Sequence, residues 1–142
     1  MQILQPQGWA EPKGYANGIL ARGELVFVAG QVGWDETGTF RAQDFVGQVR
    51  QCLENTIAVL SEAGAGPEHV ARMTWYITDR EEYLSNLEGM GLAYRELMGR
   101  HFPAMTMVEV AALIESEAMV EVETTAVVPI NASEKPLSRR VY

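Results

Sequence analysis

Two consecutive segments near the end of the chain constrain its fold most. Residues 104–112 and 118–128 are rich in β-branched residues, and their apolar and polar positions alternate with a period of two. This pattern is typical of β-strands. Only residues 113–117 separate the two segments, a length that suits an antiparallel hairpin. The end of the chain is therefore predicted to form two paired strands of one sheet.

Two amphipathic helices are predicted upstream of these strands. Apolar residues recur at helical spacing over residues 44–63 and again over residues 79–99. Asp79 opens the second segment, and Glu82 follows three residues later, which is the pattern of a capping box. Both helices are expected to bury one face against the sheet.

Shorter apolar runs predict the remaining strands at residues 18–22, 25–29 and 70–78. The run at residues 25–29 is continuous, which suggests burial on both faces. The order β-β-α-β-α-β-β predicts an α+β fold, in which two helices cover one face of a four- or five-stranded mixed sheet.

The alternation divides the last two strands into two different faces. The valine face carries Val108, Val110, Val120, Val122, Ala126 and Val128. The opposite face carries Met105, Met107, Glu109, Met119, Glu121 and Glu123. We expect the helices to cover the valine face. The methionine-containing face is too apolar to remain in water, so we expect other copies of the chain to bury it.

Length and composition favour a single acidic domain. The 142 residues suit one domain, with a core over about residues 14–129, an N-terminal arm at 1–13 and a tail at 130–142. The formal charge of −8 makes nucleic acid an unexpected partner. A single cysteine, no signal peptide and no long apolar run together predict a cytoplasmic protein without a membrane span.

Five segments of the chain resemble the RidA/YjgF family, also called endoribonuclease L-PSP-like. They read FVAGQVGWD, QCLENTIAVLSEAGA, VARMTWYITD, HFPAMTMVEVAAL and AMVEVETTAVVP, and they follow one another in the family's order. The resemblance implies a chorismate-mutase-like α+β fold and a homotrimer, with a central barrel and ligand clefts at the subunit interfaces. It also implies hydrolysis of enamine and imine intermediates to ammonia and a keto acid, with no metal and no cofactor.

One position departs from the family's pattern. Deaminating members carry an arginine in the motif that here reads Phe102 to Thr106, and this chain has Met105 in its place. That arginine pairs with the substrate carboxylate through a bidentate, charge-assisted contact, which a thioether cannot replace. The next pocket position, often cysteine, is Met107. Deamination of a 2-imino acid through that contact is therefore not expected.

The resemblance assigns the remaining candidate site residues. Glu121 matches the family's pocket glutamate, which helps to place a water molecule and is the candidate catalytic residue. The candidate substrate-binding residues are Tyr15, Gly30, Gln31, Met105 and Met107. Gly30 and Gln31 belong to a predicted loop after residues 25–29. Such a site is apolar with one ionisable group, and it should prefer a more apolar or uncharged ligand than an imino acid.

Other readings of these side chains stay open at this point. Glu121 can instead be an interface carboxylate, while Glu109 and Glu123 are expected to pair with Arg72 or Arg95. Either arginine can also replace the missing one. Cys52 is expected in the core, and His69 and His101 on the surface.

Two functions follow from these observations. The first is hydrolysis or tautomerisation of a small reactive enamine, imine or related carbonyl metabolite, with Glu121 directing the water. The alternative is a non-catalytic trimer that binds a small metabolite or protects other proteins. An RNA-directed role fits poorly with the charge of −8 and with the lack of a basic, aromatic surface.

Overall fold

The computed structural model of the protein describes residues 1–130, so the predicted tail lies almost wholly outside the described residues. The strands within this range are β1 (Gln2–Leu4), β2 (Gly18–Leu20), β3 (Glu24–Val32), β4 (Val70–Ile77), β5 (Ala104–Glu109) and β6 (Val120–Val128). The helices are α1 (Phe45–Glu62), α2 (Arg80–Ser85) and α3 (Leu87–Met98), with a 3₁₀ turn at Pro67–His69. The predicted α+β class with a mixed sheet is confirmed.

The main sheet has four strands in the order β3-β6-β4-β5. β4 and β5 are parallel, whereas β6 is antiparallel to both β3 and β4. The predicted hairpin between the last two strands is therefore wrong, because β4 lies between them. The helices after β4 return the chain to the start of that strand, so β5 forms parallel to it at the sheet edge. Residues 110–119 then carry the chain back across β4 to β6.

The helices begin where the sequence predicts. The Asp44 side chain accepts a hydrogen bond from the backbone N–H of Gly47 and caps α1. The Asp79 carboxylate accepts hydrogen bonds from two backbone N–H groups of α2, at 2.9 and 3.2 Å. The second predicted helix is interrupted at Asn86, whose φ of −123° and ψ of 20° are not helical. None of the helices within residues 1–130 is long and apolar enough to cross a membrane.

The N-terminal arm is more ordered than predicted. β1 pairs with β2 in a separate antiparallel sheet of two strands, in which Ile3 lies opposite Ile19. β1 is therefore a part of the arm that the sequence analysis did not predict as a strand. The sequence gives a weak signal there, because a strand of three residues is too short to show a clear period.

The hydrophobic core lies between α1, α3 and one face of the main sheet. Its fully buried members come from both layers, and include Phe45, Val49, Leu53, Leu60, Met73, Trp75, Val120 and Val122. A polar residue, Gln48, is also buried in α1, with 1% of its surface exposed. Its amide donates to the carbonyls of Glu117 (2.9 Å) and Ala42 (3.3 Å) and accepts from the backbone N–H of Met119 (2.8 Å). Gln48 thus ties the segment before β6 to α1.

The two methionines of β5 face the helices, contrary to the prediction. Met105 lies beside Met73 and Met107 beside Trp75 in the parallel register of β4 and β5. Both methionines pack against the core, while Val108 lies on the opposite face and is 40% exposed. The predicted division of faces therefore holds for β6, whose valines are buried, but it is reversed for β5. The parallel register of β5 with β4 decides which face of β5 the helices cover, and the local sequence pattern does not encode that register.

The sheet face that the helices do not cover is apolar at its β3 edge. Leu25 is 60% exposed and Phe27 is 73% exposed. The predicted burial of residues 25–29 on both faces is thus wrong within one chain. We call this uncovered surface the open sheet face. It carries Leu25 and Phe27 at its β3 edge and Val108 at its β5 edge, with Glu121 and Glu123 on β6 between the two edges.

We predict that Gln48→Ala lowers the free energy of unfolding by about 1–3 kcal/mol, because it removes the part-buried hydrogen bonds to the backbone groups of residues 117 and 119. Gln51→Ala is the matched control on the same helix, since the Gln51 side chain bonds only to that of Asn55. Urea unfolding followed by circular dichroism measures both. Equal losses in the two variants would contradict the role given to Gln48.

Candidate functional site

A cavity of about 490 Å³ opens between α3 and the β4–β5 side of the sheet. Met105 and Met107 form part of its wall from β5, and Trp75 contributes from β4. Tyr15 lines the same cavity, so the structure brings together three of the six predicted site residues. The cavity lies on the helix-covered side of the sheet.

Tyr15 reaches the cavity because the chain before β2 is attached to the start of β5. The backbone N–H of Ala16 donates to the carbonyl of Pro103 at 3.0 Å, and Ala16 forms an isolated parallel bridge with Ala104. Gly14 precedes Tyr15 with a φ of +78°, a conformation that favours glycine. This attachment fixes Tyr15, which is 42% exposed, at the mouth of the cavity.

Aromatic side chains hold the helical wall of the cavity in place. The Tyr94 hydroxyl donates to the carbonyl of His101 at 2.6 Å, and its ring stacks on Phe102 with centroids 5.7 Å apart. Burial raises the pKa of Tyr94, so its phenol stays protonated. The part of the wall formed by Tyr94 and Phe102 is therefore uncharged and largely apolar.

The polar groups that line the cavity are donors. Lys13 and Arg95 are exposed lining residues, whereas the indole of Trp75 is buried, with 2% of its surface exposed. The Trp75 Nε1–H has no acceptor within residues 1–130. Within residues 1–130, no aspartate or glutamate lines the cavity. The lining thus combines an apolar interior with cationic groups.

Glu121 lies on the other face of the sheet. Its neighbour on β4 is Tyr76, which lies between the core residues Trp75 and Ile77 in the sequence. Because side chains alternate along a strand, Tyr76 and Glu121 are both on the face opposite the core. Its carboxylate packs against Gly30, where a Cβ would overlap Oε1. Within residues 1–130 the Glu121 carboxylate forms no hydrogen bond, so its oxygens are free to accept one from a ligand or water.

Gly30 and Gln31 lie inside β3 rather than in the loop that the sequence predicts. The pairing of β3 with β6 is irregular between Val28 and Gln31, as in a β-bulge. The Gln31 amide donates to the carbonyl of Ala29 at 3.0 Å. The structure therefore groups Gly30, Gln31 and Glu121 at the β3–β6 side of the sheet, apart from the cavity.

The other predicted carboxylate pairings are wrong. Glu109 accepts a hydrogen bond from the backbone N–H of Arg80 at 2.8 Å, and Glu123 accepts one from the Tyr76 hydroxyl at 2.7 Å. The hydrogen bond to Glu123 raises the pKa of Tyr76. Neither Arg72 nor Arg95 forms an ion pair within the described part of the chain, so both guanidinium groups are available.

Cysteine and histidine carry no separate site. Cys52 is fully buried beside the carbonyl of Val120, and burial, with the charge of Glu121, raises the pKa of its thiol to about 12. Its predicted core position is confirmed. His69 and His101 are half-buried and bond to backbone groups, which corrects the predicted surface positions. Among residues 1–130, no cluster of three His, Cys, Asp or Glu could hold a metal ion.

Sequence reasoning missed several residues of the cavity. The sequence analysis did not predict four of the lining residues as site residues: Lys13, Trp75, Tyr83 and Tyr94. The lining residues on α3 nevertheless share one face of that helix, at spacings of three and four. Arg95 was considered as a partner of Glu109 or Glu123 and as a replacement for the missing arginine, but not as a lining residue of a cavity within one chain. It lies instead in the same chain as Met105, which the helical spacing alone could not reveal.

Comparisons with known proteins agree with this fold. The family model described as endoribonuclease L-PSP matches residues 9–128. A RutC family protein of Pyrococcus abyssi is 34% identical over 126 residues, which cover 88% of this chain and 95% of that protein. A 2-iminobutanoate/2-iminopropanoate deaminase of Salmonella typhimurium is 30% identical over 108 residues, 74% of this chain and 80% of that enzyme.

Comparison with solved structures also agrees with this fold. A Rid family protein of unknown function from Yersinia pestis superimposes with a TM-score of 0.79 at 28% identity, covering 89% of this chain and 98% of that one. The serine-bound TdcF structure from E. coli gives a TM-score of 0.63 at 30% identity, with coverage of 90% and 99%. The resemblance found in the sequence segments thus extends over the whole fold, and the chain belongs to the RidA/YjgF family.

Proposed function

We propose that the chain forms a homotrimer whose subunit interfaces hold clefts for a small metabolite, and that it hydrolyses or tautomerises a reactive enamine, imine or related carbonyl compound there. The observation that carries the proposal is the separation of the candidate residues. Tyr15, Met105 and Met107 line a cavity on one face of the sheet, whereas Gly30 and Glu121 lie on the other. Since one sheet cannot bring both groups together, a second copy must supply one of them.

The open sheet face supports self-association. Leu25, Phe27 and Val108 are exposed by 40% or more, although they lie within regular strands. Apolar surface of this kind is costly to leave in water and is typical of interfaces. Cyclic association of three copies would bury the face in a central barrel, and the same copies would close the clefts.

The proposed chemistry needs one group that accepts a proton from the attacking water molecule. The Glu121 carboxylate accepts a proton as water adds to the imine carbon, and the proton passes to nitrogen. The carbinolamine then collapses to the carbonyl compound and ammonia, which balances the addition of one water. An enamine enters the same route after protonation at carbon gives the iminium ion, which loses a proton from nitrogen to give the imine. The similar Salmonella enzyme, named for 2-imino acid deamination, supports this reaction class.

Met105 sets a limit on the substrate. It offers neither charge nor a hydrogen-bond donor at the position where the deaminating members hold the carboxylate. The substrate therefore does not use the family's contact on β5.

The alternative function is a non-catalytic trimer that binds a metabolite or protects other proteins. The observation in its favour is the lining of the cavity by Met105 and Met107, which have no acid–base chemistry. Imine turnover separates the two functions, because a purely binding protein would not release ammonia faster than buffer does.

We predict that the chain has the solution mass of a trimer, about 47 kDa from three chains of 15.7 kDa. Phe27→Asp should lower this mass to that of a single chain, because it places a charge in the buried centre of the proposed interface. Val59→Asp is the matched control, since Val59 is 41% exposed on α1, in the opposite layer. Light scattering gives the masses. A monomeric parent chain, or a trimeric Phe27→Asp variant, would contradict the assembly.

We predict that Glu121→Gln lowers turnover of imines by about 100-fold or more, because the amide cannot accept the proton of water. The substrates are imines generated in place from alanine, leucine and phenylalanine by an amino-acid oxidase, and ammonia release is measured. The variant should keep the parent's solution mass.

Glu123→Gln is the control for this variant, because Glu123 lies two residues further along β6 and is bonded to Tyr76. It should keep most of the activity. Turnover by Glu121→Gln at the parent's rate would refute its catalytic role, and a parent chain inactive on every imine would favour the binding function.

A further inference from the structure

We propose that the cavity between α3 and β5 binds an apolar carboxylate, whose anionic end is held by Arg95 rather than by the strand position that Met105 occupies. This inference names the ligand class of the site proposed above and rests on that cavity being the ligand pocket. Arg95 on α3 of the same chain thereby supplies the positive charge that β5 lacks at Met105.

Arg95 is placed to take this role by the spacing of α3. Its Nη1 lies 3.4 Å from the position that a Cβ on Gly91 would occupy, so the guanidinium lies over the preceding turn of the helix. Gly91 also lines the cavity, and its lack of a side chain leaves that side of the wall open. The guanidinium therefore faces the same space as Met105 and Met107.

Charge in and around the cavity favours an anion. Lys13 and Arg95 both line it, no carboxylate lines it, and neither cation forms a salt bridge within residues 1–130. By contrast, Arg41 and Arg50 are each paired with a carboxylate at 2.9 and 2.7 Å. An arginine fork without a partner binds carboxylates bidentately, and Lys13 adds a second positive charge.

The interior of the cavity favours an apolar body on the ligand. Trp75, Phe102, Met105 and Met107 supply an apolar lining, and about 490 Å³ is ample for a phenyl group or a branched alkyl chain. The preferred ligand is thus a carboxylate with a bulky apolar side chain, and the earlier expectation of an uncharged ligand is revised.

Isothermal titration with 3-phenylpropanoate and with 3-phenylpropanamide tests the inference on the intact protein, because the two probes have nearly the same shape and only the first carries a charge. The parent chain should prefer the carboxylate by about tenfold or more, as expected for a charge-assisted contact. Arg95→Gln should reduce the preference by about fivefold or more, with Lys13 supplying what remains, and should leave binding of the amide unchanged. Arg50→Gln, which removes an arginine outside the cavity, should keep the preference.

Equal affinity for the two probes, no binding of either probe, or an unchanged preference in Arg95→Gln would each overturn the inference. Circular dichroism of Arg95→Gln checks that the variant is folded, which its exposed position favours. Imine turnover is measured separately. An Arg95-dependent preference without turnover would support the ligand class and reject the hydrolase. Turnover together with a preference that does not depend on Arg95 would support the hydrolase and reject the ligand class.

Discussion

The parallel pairing of β4 with β5 is the constraint on which the rest of the structure depends. It places Met105 beside Met73 and Met107 beside Trp75, so both methionines lie on the helix-covered face. The antiparallel pairing of β4 with β6 places Glu121 beside Tyr76, on the opposite face. Because side chains alternate strictly along a strand, no local rearrangement brings Met105 and Glu121 together. A site that uses both must be completed by another copy of the chain.

The distribution of charge follows the same division into two faces. The helix-covered side has a cavity with cations and an apolar interior, and no carboxylate lines it. The other side carries Glu121 and Glu123 beside exposed leucine, phenylalanine and valine. In the proposed trimer, the β3–β6 side of one copy would supply the carboxylate that the cavity of a neighbouring copy lacks. In the proposed ligand site, Arg95 on α3 would supply the positive charge that the resemblance places on the strand, where this chain has Met105.

Local patterns in the sequence predicted the elements well and their arrangement less well. α1 followed from its helical period and from Asp44 at its start, both of which are local signals. The hairpin prediction failed because closeness in sequence favours pairing of the last two strands, whereas the crossover through α2 and α3 inserts β4 between them. The covered face of β5 depends on its register with β4, a contact between distant residues.

The candidate site shows the same limit. The family resemblance pointed to Tyr15, Met105, Met107 and Glu121, but the residues alone could not tell which of them share a face. Gly30 was predicted in a loop, because glycine commonly ends a strand, and the bulge that keeps it in β3 requires the pairing with β6. Arg95 entered the cavity only through the packing of α3, which no local pattern specifies.

The most direct test of the two-copy site is photo-crosslinking from Tyr15, replaced by p-benzoylphenylalanine, a residue of related shape at the mouth of the cavity. Mass spectrometry then identifies the residues that it labels. The account predicts a crosslink between two chains, with the label on the peptide that contains Gln31 or Glu121. Crosslinks confined to single chains, or between chains at surfaces remote from β3 and β6, would contradict it.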